Sequence, residues 1–178
     1  TALLVACPRS RRRDQLLSQL AIGEALPGVA LMETDGEWSL DAVIGCVLHG
    51  GKLTGVKRFV PNAALCDRFL VFCRGGGDGI LRLLEVAAEQ TRSSPMTDMA
   101  EQGWAEVAFD CEVAMDACLA EGETASRAFT AATEIGSITR AGQMVGLAAR
   151  VLDDCVEHAK LREQSGRPIG GFQAIQHH

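Results

Sequence analysis

The hydrophobic positions of this chain change period along its length, and the changes divide it into three stretches. Over residues 11–26 charged residues alternate with leucines at helical spacing (Leu16, Leu17, Leu20), and Gly23 and Pro27 close that short helix. From Gly28 to about Val113 the apolar residues come in short β-favouring runs separated by Gly, Asn and Asp, which predicts strands over 29–32, 42–48, 52–60, 68–74, 80–86 and 104–109. Two glycine turns support them: His49-Gly50-Gly51-Lys52, where positive φ closes a tight hairpin, and the looser Gly75-Gly76-Gly77-Asp78-Gly79. From about Thr124 the period becomes helical, with Ile138, Ala141, Val145, Ala148, Leu152, Cys155 and Ala159 on one stripe, widened by Met144, Leu147, Val151 and Val156. So broad a stripe predicts a helix packed on several sides, as in a bundle, with Arg150, Asp153, Asp154, Glu157 and Lys160 towards water. Pro168, with Gly166 before it, ends that helix, and a second begins near Phe172.

The expected fold class is therefore α+β and multi-domain: an antiparallel β-rich middle domain, then long helices of a C-terminal four-helix bundle, truncated. The expected boundaries are 1–27 for the end of a helical region, 28–121 for the β-rich domain and 122–178 for the start of the bundle.

Composition narrows the function classes. With 47% hydrophobic and 22% charged residues the chain is far from the profile of disorder, and its net charge of -6 has the wrong sign for a general phosphate-backbone binder. Arg9, Arg11, Arg12 and Arg13 are the exception, either a nucleic-acid patch or a solvated helix start; no aromatics interleave with them, so no function is assigned. The seven cysteines are odd in number and form no C-x-x-C pair, which points away from a disulfide framework or a zinc site and towards small core residues in a reducing cytoplasm. No apolar run has the length of a membrane span, and no signal peptide is visible. The glycine run at 75–79 invites a phosphate-cradle reading, but it has neither G-x-G-x-x-G spacing nor a Lys-Ser/Thr ending. His177 and His178 are adjacent, about 100° apart on a helix, and so are poorly placed to share a metal; His49 and His158 are isolated.

Two motifs carry more. The closing run Arg162-Glu163-Gln164-Ser165-Gly166-Arg167-Pro168-Ile169-Gly170-Gly171-Phe172-Gln173-Ala174-Ile175 resembles the R-x-Q-F-G-x-P-I-x-x-F-Q-A-[IV] run of acyl-CoA dehydrogenases. Upstream, Leu53-Thr54-Gly55-Val56-Lys57-Arg58-Phe59-Val60-Pro61-Asn62-Ala63 is similar to that family's L-x-G-x-K-x-[WF]-I-[TS]-N-A stretch, and residues 107–113 resemble its L-x-F-D-x-V-x-V strand. Nearly the whole chain takes part. The closing run lies well before the end of the family's polypeptides, so the resemblance implies a middle portion of a longer protein.

The resemblance implies FAD, an acyl-CoA thioester substrate, and α,β-dehydrogenation in which a carboxylate takes the α proton and hydride leaves to the flavin. It implies cofactor-facing roles for Arg162, Gln164, Ser165, Phe172, Gln173, Phe59, Pro61, Met32 and Ser39, with Arg162 reaching the FAD of a neighbouring subunit, and acyl-CoA-facing positions for Ser137 and Arg140. Read without it, Arg162 is a cation at a helix C-terminus, and Ser137 and Arg140 lie on a solvated face.

Departures from the family pattern qualify this. Ser165 stands where the family has an aromatic, and Pro61, with neither hydroxyl nor amide hydrogen, where it has Thr or Ser. The T-E-P-x-x-G-S-D loop is reduced to residues 32–39, where Glu33 and Ser39 are the matches. The catalytic base is unknown: the minority position for it aligns with Gly136, and Glu134, two residues away, points about 200° round a helix. The expected function is part of an acyl-CoA dehydrogenase-like oxidoreductase, in a homo- or hetero-oligomer (a dimer of dimers) sharing FAD across an interface, this chain being the flavin-depleted subunit. The alternative is a non-catalytic structural or binding module that has lost the redox site.

Overall fold

The computed structural model describes residues 1–33, 39–40, 44–97, 103–114 and 116–177. Expectations that fall on 34–38, 41–43 and 178, including most of the reduced loop and the start of the 42–48 strand, lie outside the described residues.

Two short helices come first, α1 (Ala2–Ala6) and α2 (Arg11–Ala21). Ser10 caps α2 by accepting from the Arg13 amide at 3.2 Å, and Asp14 in the first turn suits the positive end of the helix. α1 has no capping side chain of its own and left no signal in the sequence. Its last carbonyls are taken by the Arg13 guanidinium, which donates to the Leu4 oxygen at 2.9 Å and the Val5 oxygen at 3.0 Å. Arg12 pairs with Glu85 at 2.6 Å and with Asp116 at 2.9 Å. Two arginines of the basic cluster thus tie helices to each other and to the sheet, where a solvated helix start was one expectation.

Among the described residues eight strands form one sheet: β1 (Pro27–Ala30), β2 (Val47–His49), β3 (Lys52–Pro61), β4 (Arg68–Gly75), β5 (Leu81–Ala87), β6 (Thr91–Pro95), β7 (Trp104–Glu112) and β8 (Cys118–Glu121). The order is β6-β7-β3-β2-β4-β5-β8, and β1 also pairs with β4. The sheet is mixed. Its pairings are antiparallel except along one edge of β4, where β1 and β2 both run parallel to it, β1 opposite Arg68 to Val71 and β2 opposite Arg74 and Gly75. Both glycines of the β2–β3 hairpin, Gly50 and Gly51, take positive φ. β6 and β8 were not expected. β6 is polar and exposed along most of its length and β8 has four residues, so neither carries the alternation that reveals a strand.

The run Phe69-Leu70-Val71-Phe72-Cys73 explains where the core lies. Leu70 and Phe72 join Leu3, Leu4, Leu16, Leu83 and Phe129 on one face of the sheet, while Phe69, Val71 and Cys73 join Leu53, Val60, Val107 and Phe109 on the other. A strand buried on both faces reads as a continuous apolar run.

The chain forms two compact units, Thr1–Ala132 and Thr133–His178, and the helix α3 (Glu123–Leu161) belongs to both. In the first unit its opening turns bury Ala125, Ala128 and Phe129, with the Phe129 ring edge-on to Phe72 at 5.6 Å. In the second, Ile138, Met144, Val145, Leu147 and Leu152 are exposed among the described residues, where burial on several sides was expected. Arg150 pairs with Asp154, and Lys160 with Glu157. After α3 comes a hairpin of β9 (Glu163–Gln164) and β10 (Arg167–Pro168), then a 3-10 turn (Ile169–Gly171) and α4 (Gln173–Gln176). No helix of the described residues is long and apolar enough to cross a membrane.

Candidate functional site

β3 alternates inward and outward residues until Lys57, and there the alternation breaks. Lys57 pairs with Val107 of β7 and Val60 with Ala105, so Arg58 and Phe59 together oppose Glu106 in a β-bulge. Phe59 takes φ +52°, a left-handed conformation that is strained for a bulky side chain. The extra residue turns Val60 into the core and leaves Phe59 and Pro61 facing outward, Phe59 with 37% of its surface exposed. The Trp104 ring meets Phe59 edge-on at 6.4 Å, and the Arg58 guanidinium lies 5.5 Å from the Phe59 centroid. Met32 bridges Arg58, its carbonyl accepting from the Arg58 amide at 3.0 Å. Met32, in an isolated bridge outside the strands, therefore lies opposite Arg58, the neighbour of Phe59 in the bulge, and an apolar cleft of about 500 Å³ opens beside Pro61, lined by Leu26, Pro27, Val29, Leu65 and Cys66.

Beneath this patch is a buried charge pair. Lys57, 1% exposed, is ion-paired through Nζ to Glu33, itself 6% exposed. Lys57 also donates to the Leu31 carbonyl at 3.2 Å, and the second Glu33 oxygen accepts from the Gly45 amide at 3.1 Å. Three separated stretches of chain meet there. Gly55 allows the close passage: a Cβ on it would lie 2.6 Å from the Cys46 Cα. Ser39 lines a small recess with Leu31, Glu33, Leu40 and Lys57, a recess that does not include Met32, Phe59 or Pro61. Burial pushes the Cys46 and Cys73 thiols up to about 12.

The remaining expected residues lie in the second unit. Arg162 follows the last turn of α3; its amide donates to the His158 carbonyl and its carbonyl accepts from Ile169, each at 2.8 Å, while its side chain is exposed. Gln164 is in β9. Ser165 and Gly166, at φ +54° and +77°, form the two-residue turn of the hairpin, as a type I′ connection requires. The Phe172 ring lies 4.1 Å from the Arg167 guanidinium, and Gln173 opens α4. Ser137, Arg140 and Glu134 are exposed on α3, with Arg140 bonded to Gln143 at 2.8 Å. The expected residues thus fall into two groups, one in each unit, with Ser39 on the ion-pair side of the first.

A larger cavity, about 760 Å³, lies against α2 and contains none of the expected residues. Arg12 and Arg68 on its wall are neutralised by Glu85, Asp116 and Asp67. Sequence reasoning missed Trp104 and the inward turn of Lys57. The second was signalled by parity, since Leu53, Gly55 and Lys57 share one side of a strand.

The family model described as "Acyl-CoA dehydrogenase, C-terminal domain" matches residues 126–178. Benzylmalonyl-CoA dehydrogenase of Aromatoleum aromaticum is 28% identical over 174 residues, covering 92% of this chain and 46% of its own length. Over residues 126–178 the chain thus resembles the C-terminal domain of acyl-CoA dehydrogenases. It spans about half the length of the curated relatives it matches. Solved members of this fold superpose over almost the whole chain. Glutaryl-CoA dehydrogenase of Mycobacterium smegmatis, solved in complex with FADH2, gives a TM-score of 0.79 at 19% identity over 98% of this chain and 47% of its own. The ChsE4-ChsE5 complex of Mycobacterium tuberculosis gives 0.71 at 24% identity over 89% and 42%. Against the acyl-CoA dehydrogenase pattern, the bulge in β3 falls at the [WF] position of the upstream motif.

Proposed function

We propose that this chain is part of an FAD-dependent oxidoreductase that removes hydrogen across the α and β carbons of an acyl-CoA thioester, and that it serves as the flavin-depleted member of a cytoplasmic hetero-oligomer. The observation that carries this reading is the outward Phe59, held in a left-handed bulge beside Met32 and Pro61. A strained aromatic facing outward costs stability and has no packing purpose in the core, whereas it offers a planar ring system an apolar face.

The residues fit the ring face of a flavin better than its polar edge. FAD, when bound, accepts the hydride. Phe59, Met32 and Pro61 cover and exclude water, but Pro61 donates no hydrogen bond. Arg162 offers an exposed cation suited to a pyrophosphate, and Gln173, which opens α4, offers an exposed amide. Ser165 supplies no aromatic contact. We assign no base, because Glu134 is about 200° round the helix from Gly136.

The lost donor at Pro61 and the lost aromatic at Ser165 support a shared site, in which Arg162 serves a partner's FAD. That the ChsE4-ChsE5 neighbour is a complex of two named subunits is in keeping with this. The test is flavin content and bleaching by acyl-CoA substrates. The full-length protein is expected to be FAD-poor alone and to gain stoichiometric, substrate-reducible flavin with its partner. Yellow, competent protein purified alone refutes the shared site; neither flavin nor bleaching in any combination leaves the non-catalytic module as the reading.

A further inference from the structure

We propose that Lys57 and Glu33 are positioning residues: their buried pair clamps the two segments that present Met32 and Phe59, and so sets the flavin-facing surface. This rests on the flavin reading above.

Glu33 directly follows Met32, and Lys57 is separated from Phe59 only by Arg58, the bridge partner of Met32. The pair therefore joins the two segments at the point where each contributes to the outer face. Its bonds reach further than a simple ion pair, with Lys57 donating to the Leu31 carbonyl and Glu33 accepting from the Gly45 amide. The stretch leading into β2 is thereby held to the same centre.

Stability alone is a weak reason for such a group. Lys and Glu are rarely fully buried, and an apolar pair of similar volume often serves a core as well. Directed hydrogen bonds do what apolar packing cannot: they fix the register and height of three segments at once. A left-handed Phe persists only where its surroundings over-determine it. Beneath the bulge that constraint comes from Lys57; above it, from Trp104 and the Arg58–Glu106 pair.

The experiment uses full-length protein carrying E33L/K57M, a double replacement that leaves no buried charge unpaired, beside the charge-retaining K57R. Amide hydrogen exchange is followed at Arg58, whose N–H bonds Met32, and at Val71 in the centre of the sheet; affinity is measured with FAD itself, in the presence of the partner subunit. In E33L/K57M the Arg58 amide is expected to exchange at least about tenfold faster with Val71 unchanged, and FAD to bind about tenfold more weakly, whereas K57R keeps both near wild type. Unchanged Arg58 protection overturns the clamp, and faster exchange with undiminished FAD affinity overturns its role towards flavin. If the wild-type assembly takes up no flavin, the flavin reading fails by itself, and the Arg58 exchange still decides the clamp.

Discussion

Replacing Gly55 by alanine puts a methyl group where Cys46 already is. The new Cβ would lie 2.6 Å from the Cys46 Cα, 2.7 Å from its sulfur and 2.9 Å from the Gly45 carbonyl oxygen. Two of those atoms are backbone, so no side-chain rotation relieves the contact. The residue also sits at φ +143°, which L side chains rarely adopt. Backbone strain of this kind costs about 1–3 kcal/mol and forced overpacking about as much again, so the expected loss is about 4 kcal/mol. With a urea slope of about 2 kcal/mol/M, the unfolding midpoint should fall by about 2 M. Gly50→Ala is the matched control: it too has positive φ (+58°), yet its Cβ would meet nothing within 4 Å, so it should cost only about 1–2 kcal/mol. The assay is equilibrium urea unfolding of both variants followed by far-UV circular dichroism. A Gly55→Ala loss no larger than that of Gly50→Ala would refute the close passage of β3 over the Gly45–Cys46 segment.

Three further outcomes are expected. Lys57→Met leaves Glu33 buried without its cation and should cost about 3–5 kcal/mol, whereas E33L/K57M should lie within about 1 kcal/mol of wild type; equal losses in urea unfolding would contradict a buried ion pair. Cys46 and Cys73 have thiols raised to about 12, against 9.0 as their ordinary value. The folded state therefore holds those protons more tightly, so their contribution is complete below pH 9 and is lost as pH rises towards 12; the alkaline fall in thermal midpoint should flatten in C46A/C73A. Ser165→Phe restores the family's aromatic at a left-handed turn position: folding should weaken by about 1–2 kcal/mol. FAD affinity of the assembled protein should rise about three- to tenfold, and titration showing no gain would sink the role given to that position.

Much of the fold was legible because it depends on local pattern. The helical stripe of α3, the glycine turn before β3 and the doubly buried run in β4 each follow from periods that the sequence carries openly. β6 and β8 escaped because a polar edge strand and a four-residue strand have no period to read. The parallel course of β1 and β2 along one edge of β4 was equally hidden, since the direction of pairing depends on where a long connection returns the chain.

The same division holds for the candidate site. The closing motif and the β3 motif, read from residue types alone, carried the resemblance to acyl-CoA dehydrogenases and marked Phe59, Pro61, Ser165 and Arg162. The tertiary structure decided which of them share a surface. One extra residue in a ladder shifts every later side chain to the other face, and that shift turned Val60 inward and Phe59 outward. It also decided that Lys57 is buried, because the energetics of a charged side chain depend on whether a partner such as Glu33, 24 positions away, is brought to it.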